Sequence, residues 1–464
     1  MKIFTRKKKY NWEIFVAPIF FIGIGLIFYL YRLDISFFAS LPLLFIYAKF
    51  LRRMEKLPSA STLLILTSLI IIIFFIIKII FKLSGFWLPA VGFGILITLL
   101  FDNLELSLSF SIFLSFLAAS LTGRDFSFCI SLFCASFLAS MLSFRIRRRT
   151  QIIKAGFWGG LIQYGIIFLM KNFPHISRKF SFSQIEGLGS CVGCGIASSI
   201  IVIGVLPIFE FIFGVVTNIS LLELSDFNHP LLRRMILEAP GTYQHSLVVA
   251  HLAESAAEAI GANSLLARVG AYYHDIGKIL KPQYFVENQI PYRDTHRELK
   301  PSISRLIIIN HVKEGIELAK KYRLNPRIID FIQQHHGKSL VYYFYQRAKE
   351  LNQYEYLEED YRYPGPLPQS REVAIVSLAD TTEAVSRTLE EPTPKRIEEL
   401  VKEVVRKKFL EGELDESGLT LSDLDKIIKS FNHILNAVFH TRVIYPKDES
   451  SDKKSTRLKE DKDK

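Results

Sequence analysis

Long apolar runs fill the first half of this chain and constrain its fold more than any other feature. They extend from about Ile14 to Phe213, whereas the sequence from Leu221 onward has the composition of an ordinary soluble domain. A bilayer core takes about 20 apolar residues per helix, so such runs predict membrane spans. We predict about eight spans, an even number: residues 14–31, 35–50, 62–81, 87–101, 104–121, 126–144, 152–170 and 192–213.

The placement of basic residues orients these spans. The 57 basic and 45 acidic residues give a net charge of +12, and clusters at residues 6–9, 49–56 and 145–149 lie beside apolar runs. Such clusters are typical of the cytoplasmic ends of spans, so both the N-terminus and the C-terminal half are predicted to be inside, at a bacterial cytoplasmic membrane. The predicted outside loop 171–190 departs from this rule, because it carries three basic residues. Because the basic clusters lie beside apolar runs, they favour a role in membrane orientation over the binding of a nucleic-acid polymer.

The predicted organisation is all-α, with a transmembrane bundle followed by a soluble domain. Its boundaries are a cytoplasmic N-terminus at 1–13, the bundle at 14–213, a juxtamembrane linker helix at 214–240, the soluble domain at 241–446 and a disordered charged tail at 447–464. Helical periodicity predicts a juxtamembrane helix at 221–237, broken near Pro230. It also predicts helices at 246–259, 265–273, 302–322, 326–334, 340–351, 372–389, 393–410 and 421–441.

The four cysteines do not form a disulfide framework. Cys191 and Cys194 make a C-x-x-C pair, but three glycines surround it at the mouth of a predicted span. Small residues there favour close helix packing over redox or metal chemistry.

Imidazole and carboxylate groups recur in the soluble half at the ends of apolar segments. An ionised carboxylate beside an imidazole in such a setting is costly unless it is paired or binds a metal. Five imidazoles and two carboxylates would suit two transition metals that share a bridging carboxylate. The residues are His245, His274, Asp275, His311, His335, His336 and Asp380.

The pattern H…HD…H…HH…D resembles the two-metal subset of the HD-domain phosphohydrolases. The likeness covers residues 221–289, 334–350 (QHHGKSLVYYFYQRAKE), 361–380 (YRYPGPLPQSREVAIVSLAD) and 439–446 (FHTRVIYP), and more loosely the membrane bundle. These stretches are similar to the membrane-anchored, PgpH-type seven-transmembrane-HD family, whose members hydrolyse cyclic di-AMP. The resemblance implies a hydrolase that forms linear pApA and binds two iron or manganese ions.

The same resemblance divides the ligands between two metals. One metal would be held by His245, His274, Asp275 and Asp380, and the other by His311, His335, His336 and the shared Asp275. A water-derived nucleophile between the metals would attack the phosphorus in line.

Substrate contacts are predicted with less support from the sequence. Lys278 lies one helical turn after His274 and is assigned to phosphate stabilisation, with a solvated helix-end lysine as the alternative. Candidate base or phosphate contacts are Tyr284, Asn288, Arg362 and Tyr363, each of which could equally be structural. The expected partners are a cyclic dinucleotide and the lipid bilayer, with a homodimer as a further candidate.

Two departures from the family pattern are present. Only residues 31–34 separate the first two predicted spans, so the large extracytoplasmic sensor domain typical of the family is expected to be absent. Gln244 stands where the family usually has a histidine, and the segment 294–299 before His311 is altered. His296 in that segment is interpreted as a loop histidine and not as an eighth ligand.

Two other function classes stay open at this point. One is an HD phosphohydrolase for cyclic di-GMP or an alarmone. However, no Gly-Tyr-Pro tract follows His335-His336, and a one-metal alarmone site would leave His311 and His335 unexplained. The other is a non-catalytic receptor that binds a nucleotide and signals by conformation. A complete seven-ligand set favours an enzyme over a receptor.

Overall fold

The structure is a computed structural model that describes residues 89–122, 126–172, 182–289, 295–351 and 357–439. Within these ranges the chain is helical, and the β pairing is limited to an isolated antiparallel bridge between Leu340 and Arg362. The predicted all-α fold class is therefore confirmed. The N-terminal segment 1–13, the first three predicted spans and the predicted tail 447–464 lie outside the described residues.

The chain forms two compact units. The first contains the residues up to Ala239 together with two short later segments, and its apolar helices overlap the last five predicted spans. Among the described residues, three stretches are long and apolar enough to cross a membrane: Phe126–Ser143, Arg149–Lys171 and Ile185–Phe213. The apolar helices of this part are α1 (Ala90–Phe101), α2 (Leu104–Thr122), α3 (Phe126–Ser143), α4 (Arg149–Asn172) and α5 (Phe182–Phe213).

The predicted outside loop 171–190 was too long. Helix α4 continues to Asn172 and α5 begins at Phe182, ten residues before the predicted start of the last span at Val192. A helix does not have to end where its apolar run ends, and residues 182–190 contain no proline that would stop one. The last predicted span is therefore only the C-terminal part of a longer helix.

Glycines bring α4 and α5 into close contact. A Cβ atom added to Gly195 would lie 2.1 Å from the carbonyl oxygen of Gly156, and one added to Gly160 would lie 2.4 Å from the carbonyl oxygen of Cys191. Backbones this close leave no room for a side chain. Cys191 and Cys194 are buried at this contact, in agreement with the predicted role of the segment in helix packing.

Two short helices follow α5 and confirm the predicted break near Pro230. They are α6 (Asn218–Leu224) and α7 (Pro230–Glu238), and Pro230 occupies the first turn of α7, where its missing N–H costs nothing. The carboxylate of Glu210, near the end of α5, accepts hydrogen bonds from the Thr217 N–H (2.8 Å) and the Ser220 hydroxyl (2.6 Å). These bonds fix the start of α6 relative to the last membrane helix.

The second unit begins at Pro240 and carries most of the soluble helices. The helices from this point to the end of the described chain are α8 (Pro240–Ala259), α9 (Ser264–Tyr273), α10 (Pro301–Lys321), α11 (Pro326–Gln334), α12 (Tyr342–Glu350), α13 (Arg371–Ser386), α14 (Pro394–Leu410) and α15 (Leu421–Val438). Most agree with the predicted helices to within two or three residues. Four short 3₁₀ helices, at Ile276–Leu280, Pro282–Tyr284, Val286–Asn288 and Glu358–Tyr361, were not predicted.

Helix α8 begins six residues earlier than predicted, at Pro240 and not at Ser246. The cause is a distant cap, because the Asn288 side-chain oxygen accepts hydrogen bonds from the Gly241 N–H (2.8 Å) and the Thr242 N–H (3.1 Å). Free N–H groups at a helix start need such acceptors. The longer helix includes His245, which the sequence placed just outside it.

Helix α13 contains a continuous run of buried residues. Its residues from Val373 to Ala379 are each 2 % exposed or less. Small and β-branched side chains allow neighbouring helices to approach it closely. Asp380 follows this run and is therefore carried into the interior.

Candidate metal centre

The predicted ligands lie at specific points of the helical scaffold. His245 lies in the second turn of α8, His311 lies within α10 and Asp380 within α13. Two pairs directly follow helix ends, His274-Asp275 after α9 and His335-His336 after α11. Each of these residues is at most 7 % exposed except His336, whose side chain is 21 % exposed.

The described residues contain two sets of four side chains that could hold a metal ion. Within each set, one ligand atom from every residue lies within 4.8 Å of the others. One set is His245, His274, Asp275 and Asp380, and the other is Asp275, His311, His335 and His336. Asp275 belongs to both sets, as a bridging carboxylate would.

In the first set the imidazole Nε2 atoms face the carboxylates. His245 Nε2 lies 3.1 Å from Asp380 Oδ1 and 3.7 Å from Asp275 Oδ2. His274 Nε2 lies 3.2 Å from the same Asp275 oxygen. These four side chains therefore direct their ligand atoms to one point.

In the second set, His335 faces the other carboxylate oxygen of Asp275. His335 Nε2 lies 3.6 Å from Asp275 Oδ1, whereas the histidines of the first set lie nearer Oδ2. His336 Nδ1 lies 3.6 Å from Asp380 Oδ2. Asp275 thus turns Oδ2 toward His245 and His274 and Oδ1 toward His335.

A hydrogen bond to the backbone fixes the orientation of the His274 imidazole. His274 Nδ1 lies 2.7 Å from the carbonyl oxygen of Ala271, which can only accept, so this nitrogen carries the proton. When the ring is neutral, as a metal ligand must be, its lone pair is then on Nε2. The Ala271 carbonyl therefore selects the tautomer that can bind a metal through Nε2.

The ionisable groups of the centre shift one another's pKa values strongly. Burial lowers the pKa of His274, but the carboxylates of Asp275 and Asp380 raise it more, to about 10. Burial lowers the pKa of His335 to about 4, and the nearby His274 adds to this effect. Burial raises the pKa of Asp380, but hydrogen bonds from His245 and His274 outweigh it and hold this pKa well below its ordinary value.

These residues fit a pair of divalent transition-metal ions. Asp275 and Asp380 are buried carboxylates, 1 % and 7 % exposed, and such groups require a compensating positive charge. Imidazole with carboxylate is a donor set typical of iron, manganese and zinc. The chemistry of the ligands and their burial both indicate a metal centre.

His296 makes structural contacts and belongs to neither set of ligands. It is 4 % exposed, and its Nε2 lies 2.7 Å from the Tyr284 carbonyl oxygen. Arg347 donates a hydrogen bond to the His296 carbonyl oxygen (2.9 Å). These contacts agree with its interpretation as a loop histidine.

Of the predicted substrate contacts, Tyr363 lies against a predicted ligand. Its ring stacks on His336 at a centroid distance of 4.2 Å and an interplanar angle of 26°. Lys278 lies in the 3₁₀ helix Ile276–Leu280 and is half-buried. The role of both residues in substrate binding stays a prediction.

The other three predicted contacts already have structural partners. Asn288 caps α8, and its amide nitrogen also donates to the Thr242 hydroxyl (2.8 Å). Arg362 donates to the Lys338 carbonyl oxygen (3.1 Å) and forms an ion pair with Glu358. The Tyr284 ring lies 5.6 Å from that of His296.

Two buried charged residues near the centre were not predicted from the sequence. Glu383 contacts His245, and Lys408 contacts the hydroxyls of Ser339 and Ser377. Glu383 lies three residues after Asp380, a spacing that puts both on one helix face, so the sequence did contain a signal for it. For Lys408 there was no such signal, because its partners are 31 and 69 residues away.

Comparisons with known proteins find similar sequences for both halves of the chain. The family model described as a 7TM receptor with intracellular HD hydrolase matches residues 11–217, and the HD domain model matches residues 242–385. The chain is 38% identical over 406 residues to the cyclic-di-AMP phosphodiesterase PgpH of Bacillus subtilis, an alignment that covers 84% of this chain and 56% of that protein. It is also 38% identical over 421 residues to the PgpH of Listeria monocytogenes, covering 88% and 58%.

The chain thus spans little more than half the length of these curated relatives. The crystal structure of the L. monocytogenes PgpH HD domain in complex with cyclic-di-AMP is 46% identical in sequence. It matches with a TM-score of 0.44 and covers 47% of this chain and 100% of that one.

Proposed function

Because the chain belongs to the family in which a seven-transmembrane receptor is joined to an intracellular HD hydrolase, we propose that it is a membrane-anchored, metal-dependent phosphodiesterase. Its proposed reaction is the hydrolysis of cyclic di-AMP to linear pApA. The PgpH proteins of B. subtilis and L. monocytogenes, named for activity on this nucleotide, support the choice of substrate.

The observation that carries the proposal is the pair of ligand sets that share Asp275. A module that only binds a nucleotide has little use for two metals held by buried side chains, whereas hydrolysis of a phosphodiester uses both. We propose His245, His274, Asp275 and Asp380 as ligands of one metal and Asp275, His311, His335 and His336 as ligands of the other. Iron or manganese suits these donors best in our proposal.

When bound, the metals would lower the pKa of water and neutralise charge on the phosphoryl oxygens. Water adds to one phosphorus as its bond to the 3′ oxygen breaks, and the leaving oxygen takes up a proton. Opening one of the two linkages in this way gives pApA. Asp275 and Asp380 hold the cations, and the Ala271 carbonyl keeps His274 in the tautomer that can coordinate.

Substrate binding is proposed for residues around this centre. Tyr363 is the best supported of them, because its ring lies against the predicted ligand His336. Lys278 follows His274 by four residues, in the 3₁₀ helix Ile276–Leu280, and is proposed to contact a phosphate oxygen. Contacts from Tyr284, Asn288 and Arg362 are retained as secondary proposals.

We further propose that the second unit lies in the cytoplasm of a bacterium. Arg147, Arg148 and Arg149 are exposed at the start of α4, as expected of a cytoplasmic loop. Two helices long enough to cross a membrane, α4 and α5, separate this loop from the soluble part. Two crossings return the chain to the side on which it started.

The test uses the full chain in lipid nanodiscs, loaded with Mn²⁺ or Fe²⁺. Cyclic di-AMP, cyclic di-GMP and a guanosine alarmone are offered side by side, and the products are separated by chromatography. We expect pApA from cyclic di-AMP and much slower turnover of the other two. Faster hydrolysis of cyclic di-GMP or of the alarmone would assign the site to that nucleotide instead.

The variant Asp275→Ala removes the shared ligand and is expected to abolish turnover and metal retention together. Asp425→Ala is the matched control, because Asp425 is an exposed carboxylate on α15. Full activity of Asp275→Ala would contradict the proposed chemistry. A wild-type protein that binds cyclic di-AMP and two metals but hydrolyses nothing would be a receptor.

A further inference from the structure

Glu383 is a buried carboxylate that contacts a predicted metal ligand from outside the ligand sets. It lies on α13, three residues after Asp380, and is 3 % exposed. Its Oε2 atom lies 2.5 Å from Nδ1 of His245. The proposed reaction does not use this residue directly.

The geometry of His245 distinguishes its two ring nitrogens. Nε2 faces Asp380 and Asp275, at 3.1 and 3.7 Å, and Nδ1 faces Glu383 on the opposite side of the ring. An imidazole that coordinates through Nε2 carries its proton on Nδ1. The Nδ1–H group then donates a hydrogen bond to the Glu383 carboxylate.

Glu383 is itself held in place on its other oxygen. Arg387, one turn further along α13, donates from Nε to Glu383 Oε1 at 2.6 Å. A second guanidinium nitrogen of Arg387 forms an ion pair with the same oxygen. The carboxylate therefore cannot rotate away from His245 without losing a charge-assisted contact.

His245 and His274 differ in what orients them. His274 donates to a neutral backbone carbonyl, that of Ala271, whereas His245 donates to a charged carboxylate. A carboxylate partner raises the basicity of a ligating imidazole more than a carbonyl does. The first ligand set is thus given additional negative charge that its four members do not supply.

We infer that Glu383 is a positioning residue that fixes the tautomer and orientation of His245 and so tightens metal binding in the set His245, His274, Asp275 and Asp380. This inference rests on the metal centre of the proposed function. It assigns Glu383 to one of the two metals and not to the other. Residues that act in this way typically change metal affinity about 10–100-fold when they are replaced.

The experiment titrates Mn²⁺ into the full chain in detergent micelles and measures free Mn²⁺ by electron paramagnetic resonance. Glu383→Gln keeps the size of the side chain but removes its charge. We expect one of the two bound equivalents to weaken about 10–100-fold and the other to bind as in the wild type. The matched control is Glu372→Gln on the same helix, whose carboxylate accepts a bond from the Asn263 N–H (2.9 Å) and touches no ligand.

A purely structural role for Glu383 would give a different result. It would weaken both equivalents together and in proportion to a lower melting temperature, and that outcome would overturn the inference. If Glu383→Gln does not fold, Arg387→Gln leaves the carboxylate in place but removes its support. We then expect a smaller loss confined to the same equivalent, and unchanged binding of both equivalents would overturn the inference.

The outcome is separable from the test of the proposed function. If the wild type binds two Mn²⁺ but hydrolyses no nucleotide, the proposed function fails, and selective loss in Glu383→Gln still supports the inference. If the wild type hydrolyses cyclic di-AMP and Glu383→Gln binds both metals with wild-type affinity, the inference fails and the function stands.

Discussion

Single residues behind the ligands decide how firmly the centre is held. Lys408 is the clearest case, since the residue is 6 % exposed and its ammonium group donates to the hydroxyls of Ser339 (2.9 Å) and Ser377 (3.2 Å). Ser377 lies three residues before Asp380, and Ser339 three residues after His336. Burial lowers the pKa of Lys408, while the carboxylates of Glu413 and Asp380 oppose the shift. One side chain thus connects the helix and the loop that carry ligands.

Replacing this residue tests the connection. Lys408→Met keeps most of the side-chain volume but removes both hydrogen bonds, so we expect a loss of about 1–3 kcal/mol in the free energy of unfolding. Lys407→Met is the control, because Lys407 is exposed on the same turn of α14. Chemical denaturation followed by circular dichroism measures both. An equal effect of the two variants would show that the bonds to Ser339 and Ser377 add no stability.

At the scale of helices, the contact between α4 and α5 depends on glycine. A methyl group on Gly195 would lie 2.1 Å from the Gly156 carbonyl oxygen, whereas one on Gly204 of the same helix would meet nothing within 4 Å. We expect Gly195→Ala to separate the helices and Gly204→Ala to leave them together. Faster maleimide labelling of Cys191 and Cys194, which are 0 % and 5 % exposed, would report the separation. Equal labelling rates in the two variants would contradict this packing.

The helices also show which helix boundaries could be predicted from sequence patterns. The predicted range 326–334 coincides with α11, because Pro326 begins the helix and the positive-φ residue Gly337 follows its end closely. The start of α8 was missed, since its cap, Asn288, lies 47 residues away from Gly241. Periodicity reports a helix from its own residues, and it has no information on a cap that folding brings from elsewhere.

For the molecule as a whole, the ligand residues could be proposed from the sequence and their supports could not. His274-Asp275 and His335-His336 stood out because polar pairs are rare at the ends of buried apolar segments. The spacing of Glu383 from Asp380 placed both on one helix face, but it gave no indication of the contact with His245, which joins residues 138 positions apart. A charged residue on a helix has a solvated face as its ordinary interpretation, and only the tertiary structure shows it to be buried.

The membrane helices and the soluble helices should respond differently to removal of metal. All three tryptophans, at positions 12, 87 and 158, precede the soluble part, so tryptophan fluorescence reports the membrane part of the chain. Ions that bind the folded state alone stabilise it, by about 2.7 kcal/mol per site at 100 times the dissociation constant. We expect EDTA to reduce hydrogen-exchange protection in α8 and α13, where His245 and Asp380 lie, and Mn²⁺ to restore it. Protection in α4 and α5 and the tryptophan unfolding transition should stay unchanged.

Asp275→Ala should show no difference in hydrogen-exchange protection between EDTA and Mn²⁺, because it lacks the shared ligand. Wild-type protection that is the same with and without Mn²⁺ would mean that the buried carboxylates are stabilised by the protein alone.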